Sequence, residues 1–210
     1  IWTAYGPGEE PGWVESIAIA PNGVAWAGTR NEVFRFNVDT WSWEAVLSIA
    51  GQPDERGVSI AIGPDGAVWV GAYDGSIYRF DGATWIRHSL ASSLPSNEVT
   101  RIAAARDGAL WVETASDRYD QGGGVRRFDG RTWAAMPDDA WASDGSAVTP
   151  GSTAWTITDS GVSHFDGERR TTYTSQNGLI GDSVNGMAID PSGTVWIATD
   201  DGLSRFSISP

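Results

Sequence analysis

Short apolar runs alternate with turns rich in Gly, Asp, Asn and Pro along the whole chain, and the apolar runs are rich in β-branched and aromatic residues. Alternation over a few residues, bounded by such turns, is typical of β-strands. No stretch repeats its apolar positions with the period of a helix. The pattern therefore predicts an all-β chain.

Tryptophan marks a repeating unit within this pattern. Successive gaps of 43, 42, 44 and 41 residues separate five of them, Trp26, Trp69, Trp111, Trp155 and Trp196. A tight turn precedes each one, a third strand ending in an aromatic follows, and a fourth strand comes after a polar turn. Repeats of about 40–50 residues built from four strands are typical of propeller blades. We predict a five-bladed β-propeller of four-stranded antiparallel blades, with strands a to d from the inside out and the five tryptophans packed between blades.

The repeat also predicts how the ring closes. The blades cover about 14–48, 58–89, 99–137, 144–175 and 184–209, and the last one lacks a fourth strand after Phe206. Residues 1–6, IWTAYG, resemble strand d of other blades. We expect this N-terminal strand to pair with the C-terminal blade, because closure leaves only short, protected edges. Residues 1–210 then form a single domain, and we expect it to be a mature or excised one.

Composition narrows the function classes. The 210 residues carry a formal net charge of −13 and no cysteine. Such acidity disfavours nucleic acid and anionic membrane as partners, and the absence of cysteine excludes disulfides and thiolate chemistry. No apolar run approaches transmembrane length, so we expect no membrane insertion. Two histidines in different blades and the lack of a nucleotide motif predict no metal site and no cofactor.

Two tryptophans break the repeat. Trp13 and Trp141 lie in connections between strand d of one blade and strand a of the next, which border the mouth of the propeller axis together with the b-to-c connections. A loop tryptophan can stack on a sugar ring or cap a cation. The alternative is that each fills a gap between blades. We expect both to bind ligand.

A lone arginine interrupts the innermost strands. Arg101 occupies a register that holds small residues elsewhere, namely Ser16, Ser59, Gly145 and Gly186. A guanidinium there can bind a carboxylate or hydroxyl of a ligand. The alternative is a structural pair with Glu113 on the neighbouring strand, since a charge this far inside needs a partner.

Carboxylates and one long loop complete the predicted site. Glu15 and Asp144 share a register at the mouth with Asn185, and two carboxylates across a narrow axis could do acid–base work or bind a cation. Tyr119 lies in the longest b-to-c connection, 115–124, and could reach over the mouth. A solvated, mobile loop is the alternative there.

Five basic positions share one register of strand c, each just before the aromatic: Arg35, Arg79, Arg127, His164 and Arg205. Strand c lies far from the axis, so these side chains cannot converge on one ligand. We expect them to pair with acidic residues of the adjacent blade or turn.

Three segments carry a family resemblance: PDGAVWVGAYDGSIYRFDGATW (64–85), SLPSNEVTRIAAARDGALWVET (93–114) and DPSGTVWIATDDGLSRF (190–206). They resemble the repeats of bacterial two-component-regulator propellers. The resemblance implies a periplasmic or extracellular sensing region of a larger signalling protein that recognises small molecules, often carbohydrates. We therefore expect a monomeric, non-catalytic domain that binds a small molecule, a glycan in particular. A glycan hydrolase or lyase using the mouth carboxylates and a protein-interaction scaffold are the alternatives.

Overall fold

In the computed structural model of the chain, residues 13–49, 58–88, 98–105, 107–114, 124–135, 147–148, 153–166, 169–190 and 193–207 are described. Within these ranges the regular elements are nineteen β-strands and no helix. The all-β prediction is therefore confirmed for this part of the chain. It contains no helix long and apolar enough to cross a membrane.

The strands form five antiparallel sheets, each a meander of consecutive strands. The first sheet contains β1 (Ser16–Ile19), β2 (Ala25–Gly28), β3 (Glu32–Asn37) and β4 (Ser42–Ser48). The second contains β5 (Ser59–Ile62), β6 (Val68–Gly71), β7 (Ile77–Phe80) and β8 (Trp85–His88). The third contains β9 (Val99–Ala104), β10 (Leu110–Thr114), β11 (Gly124–Phe128) and β12 (Trp133–Ala135).

The fourth sheet contains β13 (Ala147–Val148), β14 (Ala154–Thr158), β15 (Gly161–Phe165) and β16 (Arg170–Tyr173). The fifth contains three described strands, β17 (Val184–Ile189), β18 (Val195–Thr199) and β19 (Gly202–Phe206). Five sheets fit the five predicted blades, and the three described strands of the last one are the three that its own residues were expected to supply. The predicted closure of the ring by residues 1–6 falls on residues that lie outside the described ranges.

The chain divides into two compact units, residues 1–104 with 112–123, and residues 105–111 with 124–210. Each has its own buried cluster. In the first unit, apolar side chains of the first and second sheets pack together, among them Trp26, Val33, Val58, Ile60 and Val68. In the second, Trp155, Val162, Leu179, Val195 and Ile197 form the cluster.

The turns between strands a and b have the predicted geometry. Gly23, Gly66, Gly108 and Gly193 have φ values between 79° and 89°, a region that glycine adopts without steric cost. In the second sheet, Asp65 Oδ1 accepts a hydrogen bond from the Ala67 N–H at 3.1 Å. The turn is thus set by local sequence, as the Asp–Gly pattern indicated.

A row of three side-chain positions crosses each sheet at the repeat tryptophan. In the second sheet, Ala61 pairs with Trp69, which pairs with Arg79 on the next strand. The guanidinium carbon of Arg79 lies 5.6 Å from the indole centroid, within the range of a cation–π interaction. Equivalent contacts join Arg127 to Trp111 at 6.0 Å and Arg205 to Trp196 at 5.7 Å. The alanine leaves room for the ring, and the basic side chain covers it.

The same basic side chains also bind the turns. Arg79 Nη2 donates to Asp65 Oδ2 and Arg127 Nη2 to Asp107 Oδ2, both at 2.7 Å. These pairs confirm, for Arg79 and Arg127, the expectation of an acidic partner in a turn. Arg35 differs, because its partner at 3.1 Å, Glu44, lies on strand β4 rather than in a turn.

Small residues let neighbouring innermost strands approach each other. The Ser16 hydroxyl donates to the Val58 carbonyl at 2.6 Å, and the Ile102 N–H donates to Ser59 Oγ at 3.1 Å. The glycine opposite Ser59 has no room for a side chain, because a Cβ on Gly71 would lie 2.6 Å from a methyl of Val99. Hydrogen bonds and close contact together fix the spacing of these sheets.

The repeat tryptophans are not equivalent, which corrects one expectation. Trp26, Trp69, Trp111 and Trp155 are buried, whereas Trp196 is 38% exposed. Leu203, which follows on β19, is also exposed. The last repeat tryptophan is therefore less completely covered than the other four.

Candidate functional site

Trp13, Glu15 and Arg30 form a cluster at one end of the first sheet, where β1 begins and the β2–β3 connection lies. The guanidinium carbon of Arg30 lies 5.6 Å from the Trp13 ring centroid. Arg30 Nε lies 3.9 Å from Glu15 Oε1, an ion pair longer than a hydrogen bond. Two residues of the predicted site thus come together around an arginine that sequence reasoning did not single out. We name Trp13, Glu15 and Arg30 the Trp13 cluster.

Backbone hydrogen bonds position the cluster. The Glu15 N–H donates to the Gly28 carbonyl at 2.8 Å, which holds the start of β1 beside the end of β2. Around Arg30, the Thr29 carbonyl accepts from the Val58 N–H at 3.1 Å and the Asn31 carbonyl accepts from the Ile49 N–H at 2.7 Å. Arg30 is therefore presented from a connection bonded on both sides, which reduces the ordering cost of ligand binding.

The cluster combines an open aromatic surface with two charges. Trp13 is 75% exposed, and the side chains of Arg30 and Glu15 are 41% and 28% exposed. Arg30 Nε itself is buried and has no hydrogen-bond partner. Such a surface suits stacking by a ring, with hydrogen bonds to its substituents from the charged groups.

The fifth sheet has a polar pair at the equivalent place. Asn185 occupies the register of Glu15, and Asp200 follows Trp196 by four residues, as Arg30 follows Trp26. Asn185 Nδ2 donates to Asp200 Oδ1 at 2.7 Å, and this hydrogen bond holds the pKa of Asp200 below its ordinary value. At the same position of the connection, the fifth sheet has the negatively charged Asp200 and the first sheet has the positively charged Arg30. That reversal was the sequence signal by which Arg30 could have been found.

Arg101 lies half-buried on β9, the innermost strand of the third sheet. It takes the place of Ser16 and Ser59, which bind the next innermost strand in the first two sheets. Glu113 takes the place of Gly71, the close-contact glycine. Both Arg101 and Glu113 engage in interactions of their own. A structural pair between them remains the predicted alternative to ligand binding by Arg101.

The remaining predicted residues lie outside the described ranges. These are Tyr119, Trp141 and Asp144. The paired-carboxylate prediction for Glu15 and Asp144 is therefore untested, and Glu15 is the member whose surroundings are known.

The two histidines lie on outer strands. His88 on β8 contacts Trp69 at 5.5 Å between centroids, and His164 on β15 stacks on Trp155 at 4.4 Å. Burial lowers the pKa of both, and Arg79 lowers that of His88 further. Among the described residues, no group of three or more His, Cys, Asp or Glu could hold a metal ion.

Four-stranded antiparallel meanders repeated along the chain define the class of the protein as a β-propeller. Residues 178–201 match the sequence profile of the Two component regulator propeller family. The chain therefore carries a repeat of that family, which confirms the resemblance found in the sequence.

Solved structures share the fold. The extracellular domain of a proposed hybrid two component system from B. thetaiotaomicron aligns with a TM-score of 0.62 and 18% identity, over 92% of this chain and 27% of that one. A catalytically inactive variant of virginiamycin B lyase from Staphylococcus aureus, bound to quinupristin, aligns with a TM-score of 0.63 and 17% identity, over 99% of this chain and 69% of that one. Likeness at this level of identity establishes the fold alone.

One curated relative is similar in sequence. The photosystem II assembly lipoprotein Ycf48 of Prochlorococcus marinus is 29% identical over 93 residues, which cover 41% of this chain and 27% of the relative. The chain thus matches little more than a quarter of that protein and of the extracellular domain from B. thetaiotaomicron.

Proposed function

We propose that this propeller binds a small molecule, a carbohydrate in particular, and serves as a non-catalytic sensing domain. The Trp13 cluster carries the proposal. The exposed indole of Trp13 lies beside the Arg30 guanidinium, which is on a connection hydrogen-bonded on both sides and pairs with the Glu15 carboxylate. Sugars combine apolar ring faces with hydroxyl groups, and such a surface complements both.

Sensing outside the cytoplasm is part of the proposal. It is supported by the family repeat at residues 178–201 and by the likeness of the fold to an extracellular sensor domain. The partners we propose are a soluble glycan and the other domains of a larger signalling protein. Trp141, Tyr119, Asp144 and Arg101 remain proposed contributors to the same function.

The experiment compares two tryptophans of nearly equal exposure. Trp13 is 75% exposed and Trp41 is 71% exposed. Trp41 lies in the β3–β4 turn, at the other end of the six-residue strand β3. On a glycan array, Trp13→Ala is expected to abolish binding, whereas Trp41→Ala retains it. An array on which the wild type binds no glycan, or on which both variants bind like the wild type, contradicts the proposal.

A glycan hydrolase is the second candidate, favoured by the carboxylate of Glu15 in the cluster. It predicts products of reduced length when glycans are incubated with the protein and examined by mass spectrometry. Turnover that disappears in Glu15→Gln would establish this activity instead. A lyase of the virginiamycin type receives less support, since His88 and His164 lie on outer strands, where each contacts a tryptophan ring.

A further inference from the structure

Glu15 and Arg30 of the first sheet are too far apart for a hydrogen bond, whereas the equivalent residues of the fifth sheet form one. Asn185 and Asp200 form a hydrogen bond of 2.7 Å. Glu15 and Arg30 hold the same two positions, but the nearest atoms of their ion pair are 3.9 Å apart. Arg30 can therefore donate hydrogen bonds to a ligand, whereas Asn185 and Asp200 bond each other.

The nitrogen atoms of the Arg30 guanidinium differ in their surroundings. Nε is buried without a hydrogen-bond partner, although the side chain as a whole is 41% exposed. The indole of Trp13 lies against the guanidinium at 5.6 Å. The terminal nitrogen atoms are thus the donors that a ligand resting on Trp13 would meet.

We infer that the ligand of the Trp13 cluster carries a carboxylate bound by Arg30, which makes it an acidic saccharide of the uronic acid class; the inference rests on the proposed function. Guanidinium and carboxylate form two parallel, charge-assisted hydrogen bonds. The Glu15 carboxylate, 3.9 Å from Arg30 Nε, is the nearest opposing charge, so the ligand carboxylate would bind the terminal nitrogen atoms rather than Nε. The uronic acid ring supplies the apolar face that stacks on Trp13.

The acidity of the whole chain acts against such a ligand at long range. The net charge of −13 repels an anion, but salt at physiological strength screens this repulsion beyond about 8 Å. Contact with Arg30 lies well inside that distance. The charge of the protein thus slows association, while the local arginine sets the preference between acidic and neutral ligands.

The test compares each uronic acid oligosaccharide with its carboxyl-reduced form, which keeps the ring and loses the charge. Titration calorimetry on the full chain covers oligomers of galacturonate, glucuronate, mannuronate and guluronate. For at least one pair, the acidic form is expected to bind tenfold or more tightly, which corresponds to about 1.4 kcal/mol.

Substitutions assign this preference to Arg30. In Arg30→Gln the two forms are expected to bind equally, and in Arg30→Lys the preference for the acid is reduced, because lysine lacks the planar fork. Arg87→Gln is the matched control. Arg87 also lies over an aromatic ring, Tyr78, at 5.9 Å and 3.9 Å from a carboxylate, but on β8 of the second sheet.

The outcomes separate this inference from the proposed function. Equal binding of acidic and reduced forms, or an acid preference that survives in Arg30→Gln, overturns the carboxylate inference. Binding of neutral glycans alone, lost in Trp13→Ala, overturns it as well and leaves the proposed function standing. No binding of any glycan overturns both.

Discussion

At the residue scale, the basic side chains beside the repeat tryptophans both pack on the indole rings and form ion pairs. Arg79 and Arg127 each cover an indole and bind an aspartate of the preceding turn. Burial opposes ionisation of Asp65, but hydrogen bonds from the Ala67 N–H and Arg79 hold its pKa below the ordinary value. In the fourth sheet histidine replaces arginine and stacks on Trp155, and burial lowers its pKa, which favours the neutral ring. Its burial makes folding dependent on pH.

We predict that His164 makes the protein less stable in mild acid. Burial lowers its pKa below 6.5, so between that folded-state value and 6.5 the unfolded chain binds more protons than the folded one. Stability from the neutral ring is therefore complete above about pH 6.5 and is lost as the pH falls. Urea unfolding at pH 7.5 and 5.5 should show a smaller loss for His164→Phe, which keeps the stack on Trp155.

The comparison between the two proteins isolates His164, because the remaining titratable groups, including His88, are common to both. An identical loss of unfolding free energy in His164→Phe and wild type would contradict the assignment. His88→Phe is a useful second comparison, since burial and Arg79 lower the pKa of His88 in the same direction.

At the element scale, the second and third sheets depend on close approach of their innermost strands. A Cβ on Gly71 would lie 2.6 Å and 2.7 Å from methyl groups of Val99 and Ile102. We predict that Gly71→Ala lowers the unfolding free energy by about 1–3 kcal/mol, the usual cost of overpacking. Gly186→Ala is the matched control, because nothing lies within 4 Å of its Cβ position. Equal stability of the two variants in urea would show that the sheets can move apart.

A second prediction at this scale concerns the repeat tryptophans. Trp155 is fully buried, whereas Trp196 is 38% exposed. Trp155→Ala is expected to cost about 3–5 kcal/mol, as for large buried aromatics, and Trp196→Ala clearly less. Equilibrium unfolding of both variants measures the difference. Equal losses would mean that the face of Trp196 is covered in solution.

The strands and turns were predictable because their signals are local. Alternation of apolar residues defines β5 and β6, and Gly66 between them needs only its own φ of 79°. The Trp13 cluster was predictable in part. Trp13 and Glu15 were found because they break the repeat, but their meeting with Arg30 depends on contacts between β1 and the β2–β3 connection. Alignment of one strand register does not reveal such contacts.

At the scale of the whole molecule, ring closure remains a prediction from the sequence. If residues 1–6 supply the fourth strand of the last blade, their deletion removes a row of backbone hydrogen bonds and exposes a sheet edge. We expect the melting temperature to fall, by roughly 2–4 °C for each kcal/mol lost. Differential scanning calorimetry of the truncated chain measures this. An unchanged melting temperature would contradict closure by this segment.

The sequential pairing of strands has a consequence for assembly. Each of the first four sheets pairs strands that are adjacent in the sequence, so these sheets can fold locally and then dock. Cutting the backbone between β8 and β9 would leave each of these four ladders whole. When the two pieces meet again, the Ser59–Ile102 hydrogen bond and the Gly71–Val99 contact can re-form at the junction between them. The protein is accordingly suited to fragment complementation, in which two co-expressed halves reassemble and a fused reporter detects their union.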